Sequence, residues 1–67
     1  MEYWSWTDNN IKVFTDKPEQ IKELAKIGKT HSKYYKNERL AGIDVIVKAN
    51  RKKLIEKKFN EKLDYIL

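Results

Sequence analysis

Apolar and polar residues alternate at the start of the chain, where Tyr3-Trp4-Ser5-Trp6-Thr7 sets aromatic against small side chains. A period of two marks a strand. Asp8-Asn9-Asn10 comes next; Asn and Asp suit turns because they accept left-handed backbone and bond their own neighbours. Ile11-Lys12-Val13-Phe14 then reads as the returning strand of a β-hairpin. The period changes after Thr15. Ile21, Leu24 and Ala25 fall at helical spacing, with Ile27 at the margin, and predict a helix over about 17–27. Asp16 is placed to cap it, with Glu19 three residues on to complete a capping box. Pro18 falls in the first turn, where its missing N–H is no loss. Because Pro18 disfavours helical geometry at Lys17, a cap shifted by one residue is the other reading. Gly28 is the expected stop.

Lys29 to Lys33 reads as a polar connection. Tyr34-Tyr35 starts a further strand, and Lys36-Asn37-Glu38-Arg39 is its turn. Leu40 to Lys48 is the clearest strand, with Ile43, Val45 and Val47 facing one way and Asp44, Ile46 and Lys48 the other. Its β-branched residues suit a pleated surface, and Gly42 marks a bulge. Asn50 is placed to cap a second helix whose Leu54, Ile55, Phe59, Leu63 and Ile66 share a face. A short strand over Lys53–Phe59 is the alternative for this region. The expected fold is α+β in the order ββαββα: two hairpins forming a small antiparallel sheet, with two helices packed on one face. Residues 1–67 make a single domain without internal repeat, linker or low-complexity segment.

Composition adds constraints. A chain of 67 residues buries only ~60% of the surface its unfolded form exposes. Small scaffolds of this kind usually rely on a disulfide, a metal or a second subunit. With no cysteine and one histidine, disulfides are excluded and a structural zinc site is not expected. Tight packing or a homo-oligomer remains. Charged residues at 37% would suit disorder, but two Trp, four Tyr and two Phe argue for a folded chain. The opening MEYWSWTDNN carries no apolar signal region. No apolar run approaches the length of a membrane span. A cytoplasmic protein is expected, without membrane partner, metal or cofactor.

No residue set reads as catalytic, and the chain is not expected to be an enzyme. Ser5 and Ser32 have only His31 as a base. His31 adjoins Ser32, and neighbours on an extended chain point to opposite sides. Gly28-Lys29-Thr30 looks like the end of a phosphate loop, but the earlier glycine of that motif is Glu23 here, and the segment follows a helix rather than a strand.

Charge points to binding instead. The net charge is +5, and it is unevenly spread. The first sixteen residues carry Glu2, Asp8 and Asp16 against Lys12. Downstream lie two basic sites. The first interleaves Lys29, Lys33, Lys36 and Arg39 with His31, Tyr34 and Tyr35. Cations that follow a phosphate backbone and aromatics that stack on bases are the two ingredients of single-strand nucleic-acid binding. The second, Arg51, Lys52 and Lys53, opens the expected second helix. Cations are unfavourable at that positive dipole end, and a bound phosphate would offset the cost. Trp4 and Trp6, two apart on a strand, share one face. If the helices cover the other face, the indoles form an exposed patch of the kind that marks protein contacts.

The stretch IKVFTDKPEQIKELAKI resembles a class of very small phage and prophage proteins of Gram-positive bacteria. Their pattern is a short strand, Thr-Asp-x-Pro-Glu, and an amphipathic helix. A Tyr/Lys-rich strand, an apolar strand and a Lys-Lys-Leu-Ile-like segment follow. Here those are Lys33-Tyr34-Tyr35-Lys36, Ile43 to Lys48 and Arg51 to Ile55. The helical tail expected over Glu56 to Leu67 departs from the short end of that class. The resemblance implies a non-catalytic accessory role, which includes inhibitors of host machinery. Two functions therefore stand open. One is binding of nucleic acid or nucleoprotein through the basic sites. The other is inhibition of a host protein through the Trp4/Trp6 hairpin.

Overall fold

The computed structural model describes residues 1–66. Its elements are β1 (Glu2–Ser5), β2 (Asn10–Thr15), α1 (Pro18–Ile27), β3 (Lys29–Lys36), β4 (Arg39–Lys48), a 3-10 turn (Ala49–Arg51), α2 (Lys52–Phe59) and β5 (Asp64–Tyr65). The fold is α+β, but its sheet is larger than two hairpins. Five strands lie in the order β3-β4-β2-β1-β5. The pairs β1/β2, β2/β4 and β3/β4 are antiparallel, and β5 runs parallel to β1.

Both expected hairpins form. In the first, Asn9 takes a left-handed conformation at φ 58°, and the Asn10 amide donates to the Thr7 carbonyl at 2.8 Å. In the second, Asn37 and Glu38 both have positive φ, the backbone of a two-residue hairpin turn matched to strand twist. Lys29 to Lys33 corrects the expected polar connection. It belongs to β3, which is an edge strand, and an edge strand needs apolar side chains on neither face. Register shifts fall between Thr30 and Ser32 and between Tyr34 and Tyr35. The first makes His31 a bulged residue. The second places the extra residue of β4 at Ala41, beside Gly42, close to the bulge expected there.

The core lies on one face of the sheet. Ile11, Val13, Ile43, Val45 and Val47 meet Leu24 of α1, Ile55 of α2 and Leu63 beyond it. Register explains this set. Ile11 opposes Val47 and Val13 opposes Val45, so both strands send the same face to the helices.

Helix α1 starts one residue later than Asp16 allows. Lys17 is its N-cap, with no side-chain cap bond, and Pro18 follows at the first helical position. The Thr15 hydroxyl replaces the expected box, accepting from the Lys17 amide at 3.3 Å and donating to Gln20 Oε1 at 2.5 Å. Gly28 ends the helix in extended backbone at φ −131°, so left-handed freedom is not the reason for it. Space is the reason: a Cβ there would lie 2.7 Å from the Ile46 carbonyl oxygen and collide with the Val47 side chain.

The expected helix to residue 66 is also corrected, as is the alternative strand over Lys53–Phe59. Helix α2 stops at Phe59 because Asn60 turns left-handed at φ 52°, and the Glu61 amide closes back on the Glu56 carbonyl at 3.1 Å. Asparagine is the commonest non-glycine residue for such a stop. Asn50 lies within the 3-10 turn and caps nothing; Arg51 is the N-cap. Ile55 and Leu63 are buried as expected and Phe59 packs against the core, but Leu54 and Ile66 are exposed. Ile66 follows β5, where its amide donates to the Tyr3 carbonyl at 2.8 Å. Leu67 lies outside the described residues.

The tail is held at Glu61. Its carboxylate takes the Met1 ammonium, the Lys17 ammonium at 3.3 Å and the Gln20 amide at 2.9 Å. These donors, the Met1 ammonium foremost, pull its pKa down to about 2.

Candidate nucleic-acid interface: the uncovered face of the sheet

The alternation that sends valines to the helices sends a different set to the opposite face. Across the strands, Trp4 opposes Lys12, Lys12 opposes Ile46, and Ile46 opposes Lys29. The next row holds Phe14, Asp44 and Ser32. Among the described residues, no helix packs here. Side chains roof one another instead.

Lys12 lies at the centre. It is 6% exposed, and its ammonium sits 3.4 Å from the Trp6 ring centroid and 6.0 Å from that of Trp4. Among the described residues it makes no ion pair. Aromatic faces attract such a cation through the ring quadrupole, at ~0.5–2 kcal/mol. Trp6, 46% exposed, then meets the His31 ring at 5.4 Å. It therefore reaches from the β1 side of the sheet across to β3, over the strands between.

Asp44 is the second buried charge of this face, at 1% exposure. Its carboxylate accepts the Tyr34 hydroxyl at 2.6 Å and the Ser32 amide at 3.1 Å. Both donors are fixed by β3, and Tyr34 is further held by an edge contact with Phe14 at 5.6 Å. The bond to Asp44 pushes the Tyr34 hydroxyl pKa up, because the carboxylate favours a protonated partner.

The bulge at His31 overturns the expectation that His31 and Ser32 point apart. His31 Nδ1 lies 3.1 Å from Ser32 Oγ and 3.6 Å from Asp44 Oδ1. These residue types are those of a hydrolytic triad, but the connectivity is not. A triad needs the serine and the carboxylate on opposite ring nitrogens, whereas both partners here crowd Nδ1.

The sequence-derived basic sites are dispersed. Lys29 and Tyr34 stand on the uncovered face. Lys33 opposes Ile43 and so points to the other side, while Lys36 and Arg39 pair at the β3–β4 turn. Tyr35 is exposed on the edge strand. At the start of α2 the three cations part company. Lys52 is engaged, 3.2 Å from Glu56 and 5.3 Å from the Tyr3 ring on the helix side. Glu56 also accepts the Leu63 amide at 2.7 Å, and that bond, ahead of Lys52, lowers its pKa. Lys53 is exposed, and Arg51 lines a cleft with Lys48. Basic groups are thus spread round the molecule rather than gathered on one face.

Trp4 and Trp6 do share a face, as expected, and the helices do cover the opposite one. Sequence reasoning missed Lys12, Phe14, His31, Asp44 and Lys48 as their companions. Alternation alone would have put Lys12 with Phe14 and Asp44 with Lys48; the register that joins the two rows is not in the local pattern. No group of three or more His, Cys, Asp or Glu that could hold a metal occurs among the described residues. No helix among them is long and apolar enough to cross a membrane. No family model, curated protein or solved structure matches the chain.

Proposed function

We propose that this chain is a non-catalytic accessory protein that binds single-stranded nucleic acid on the uncovered face of its sheet. The observation that carries this reading is the Trp6 indole, laid across the sheet over a nearly buried cation and leaving its outer side to solvent. An aromatic platform beside cations suits a strand whose bases are free to stack, and such stacking is worth ~1–3 kcal/mol per base. Lys29 and Lys48 on the same face supply the attraction for phosphate. An accessory role agrees with what the likeness to small phage proteins implies. Titration of the protein with an unstructured oligonucleotide should quench tryptophan fluorescence. Binding should weaken with salt, and Trp6→Ala should lower affinity roughly 5- to 150-fold. Unchanged affinity in Trp6→Ala would sink the reading.

The same patch supports a second reading, inhibition of a host protein through the Trp4/Trp6 hairpin. What favours it is the acidic border on the β1 side, Glu2 opposite Asp64, which repels phosphate. Binding of this kind should resist salt and collapse on Trp4→Ala.

A further inference from the structure

At the end of the sheet beyond Trp6, the β1–β2 turn and the 3-10 turn close on each other. The Ala49 amide donates to the Asn9 carbonyl at 2.7 Å, and this tie holds open a cleft of about 550 Å³ lined by Asn9, Lys48, Ala49, Asn50 and Arg51. Two features suit the cleft to an anion. Its cations, Lys48 and Arg51, have no ion-pair partner among the described residues, whereas Lys52 next to them is taken by Glu56. Among the described residues, no carboxylate lines it. Two basic residues and two asparagines line one opening; cations and amide N–H groups are donors for an anion, and Arg offers a planar fork suited to phosphate oxygens.

One cleft residue, Lys48, also stands on the stacking face. Lys48 opposes Asn10, and Lys12 opposes Ile46. The two rows are two residues apart, about 7 Å along the strands. The caged ammonium of Lys12, nine-tenths buried and without an anion, lies at the inner end of this line. Lys48 and Arg51 lie at its outer end.

We propose that this cleft is a phosphate subsite, held by Lys48 and Arg51 with Asn9 and Asn50 as neutral donors. The inference rests on the single-strand reading above and deepens it: the phosphate belongs to the strand whose bases stack on Trp6. It narrows the expected Arg51–Lys53 contact to Arg51 and replaces the other two residues by Lys48.

The test compares the full chain with its Lys48→Gln/Arg51→Gln variant. In oligonucleotide titrations, the variant should bind about tenfold more weakly, and the slope of log affinity against log salt should flatten by about 1.4, the value for two lost phosphate contacts on a single strand. Saturating fluorescence quenching should be kept, because Trp6 is untouched. In a second arm, inorganic phosphate at constant ionic strength should shift the amide resonances of Asn9, Asn50 and Arg51 in the wild type and not in the variant. If Trp6→Ala loses oligonucleotide binding while the double variant matches wild type in affinity and slope, the stacking reading stands and the subsite is overturned. If the wild type binds no oligonucleotide but phosphate shifts these resonances, the cleft stands as a site for free phosphate and the single-strand reading falls. If neither probe binds, both are overturned.

Discussion

On the helix-covered face, Val13 and Val45 oppose each other across β2 and β4 with no solvent exposure. One residue along the same two strands, on the other face, stand Lys12 and Asp44, almost as deeply buried. Apolar burial against α1 and α2 orders the first face. It is non-directional and tolerant of detail. Among the described residues, the second face has no helix packed against it. It is ordered by a few directional contacts: a cation between two indoles, and a carboxylate under Tyr34, Ser32 and His31. A molecule this small can leave one sheet face uncovered only if side chains there shield one another. The same shielding leaves polarised groups at a surface where a ligand can reach them. On the proposed reading, binding belongs to the uncovered side of the sheet and the apolar core to the covered side.

Leu24→Ala should break the contrast from the covered side. Removing a fully buried side chain costs ~2–5 kcal/mol, a large share of what so short a chain has. Urea denaturation should show most of its stability lost, with binding lost through unfolding. Asp44→Ala attacks the uncovered face next. It leaves the Tyr34 hydroxyl and Ser32 amide without their acceptor, at ~1–3 kcal/mol, while Asp44→Asn should recover much of this. Equal denaturation midpoints for Asp44→Ala and wild type would show that the carboxylate orders nothing. Lys12→Met should matter less. The long apolar stem is kept and only the cation–π attraction goes, so stability should move by ~0.5–2 kcal/mol. Oligonucleotide affinity should nonetheless fall, which sharpens the division of labour between the faces.

A further effect concerns acid. The pKa of Glu61 is lowered from 4.5 to about 2 by the Met1 ammonium and Gln20. A lowered folded value means that the contribution is complete above the unfolded pKa and disappears as pH falls towards about 2. Glu61→Gln should therefore narrow the difference in denaturation midpoint between neutral and acidic solution. A wild-type and variant pair with parallel pH profiles would rule out this carboxylate as a source of acid sensitivity.

Much of the covered face was legible in the chain. The alternation of Ile43, Val45 and Val47, the spacing of Ile21 and Leu24, and the Asp8–Asn10 and Asn37–Glu38 turns each carry a local physical cause. The errors also have local explanations. Leu63 continues the apolar spacing of α2, so the pattern predicts a longer helix, although Leu63 is buried beyond the left-handed stop at Asn60. Strand β5 is two residues long, too short to show a period. The start of β3 has the pattern of a connection because it is an edge strand with polar side chains on both faces.

The candidate site was less legible for a different reason. That Trp4 and Trp6 share a face follows from the period of a strand, and that the basic residues abound follows from counting. That Lys12 lies under Trp6, that His31 bulges towards Asp44, and that Lys48 and Arg51 share a cleft with Asn9 depend on register, a bulge and the meeting of two turns. Periodicity is a property of neighbours in the chain, so the sequence by itself settled which residues share a strand face and where the chain turns. Which strands lie side by side, and therefore which charges meet which rings, is decided by long-range pairing that buries the valines of β2 and β4 under the helices.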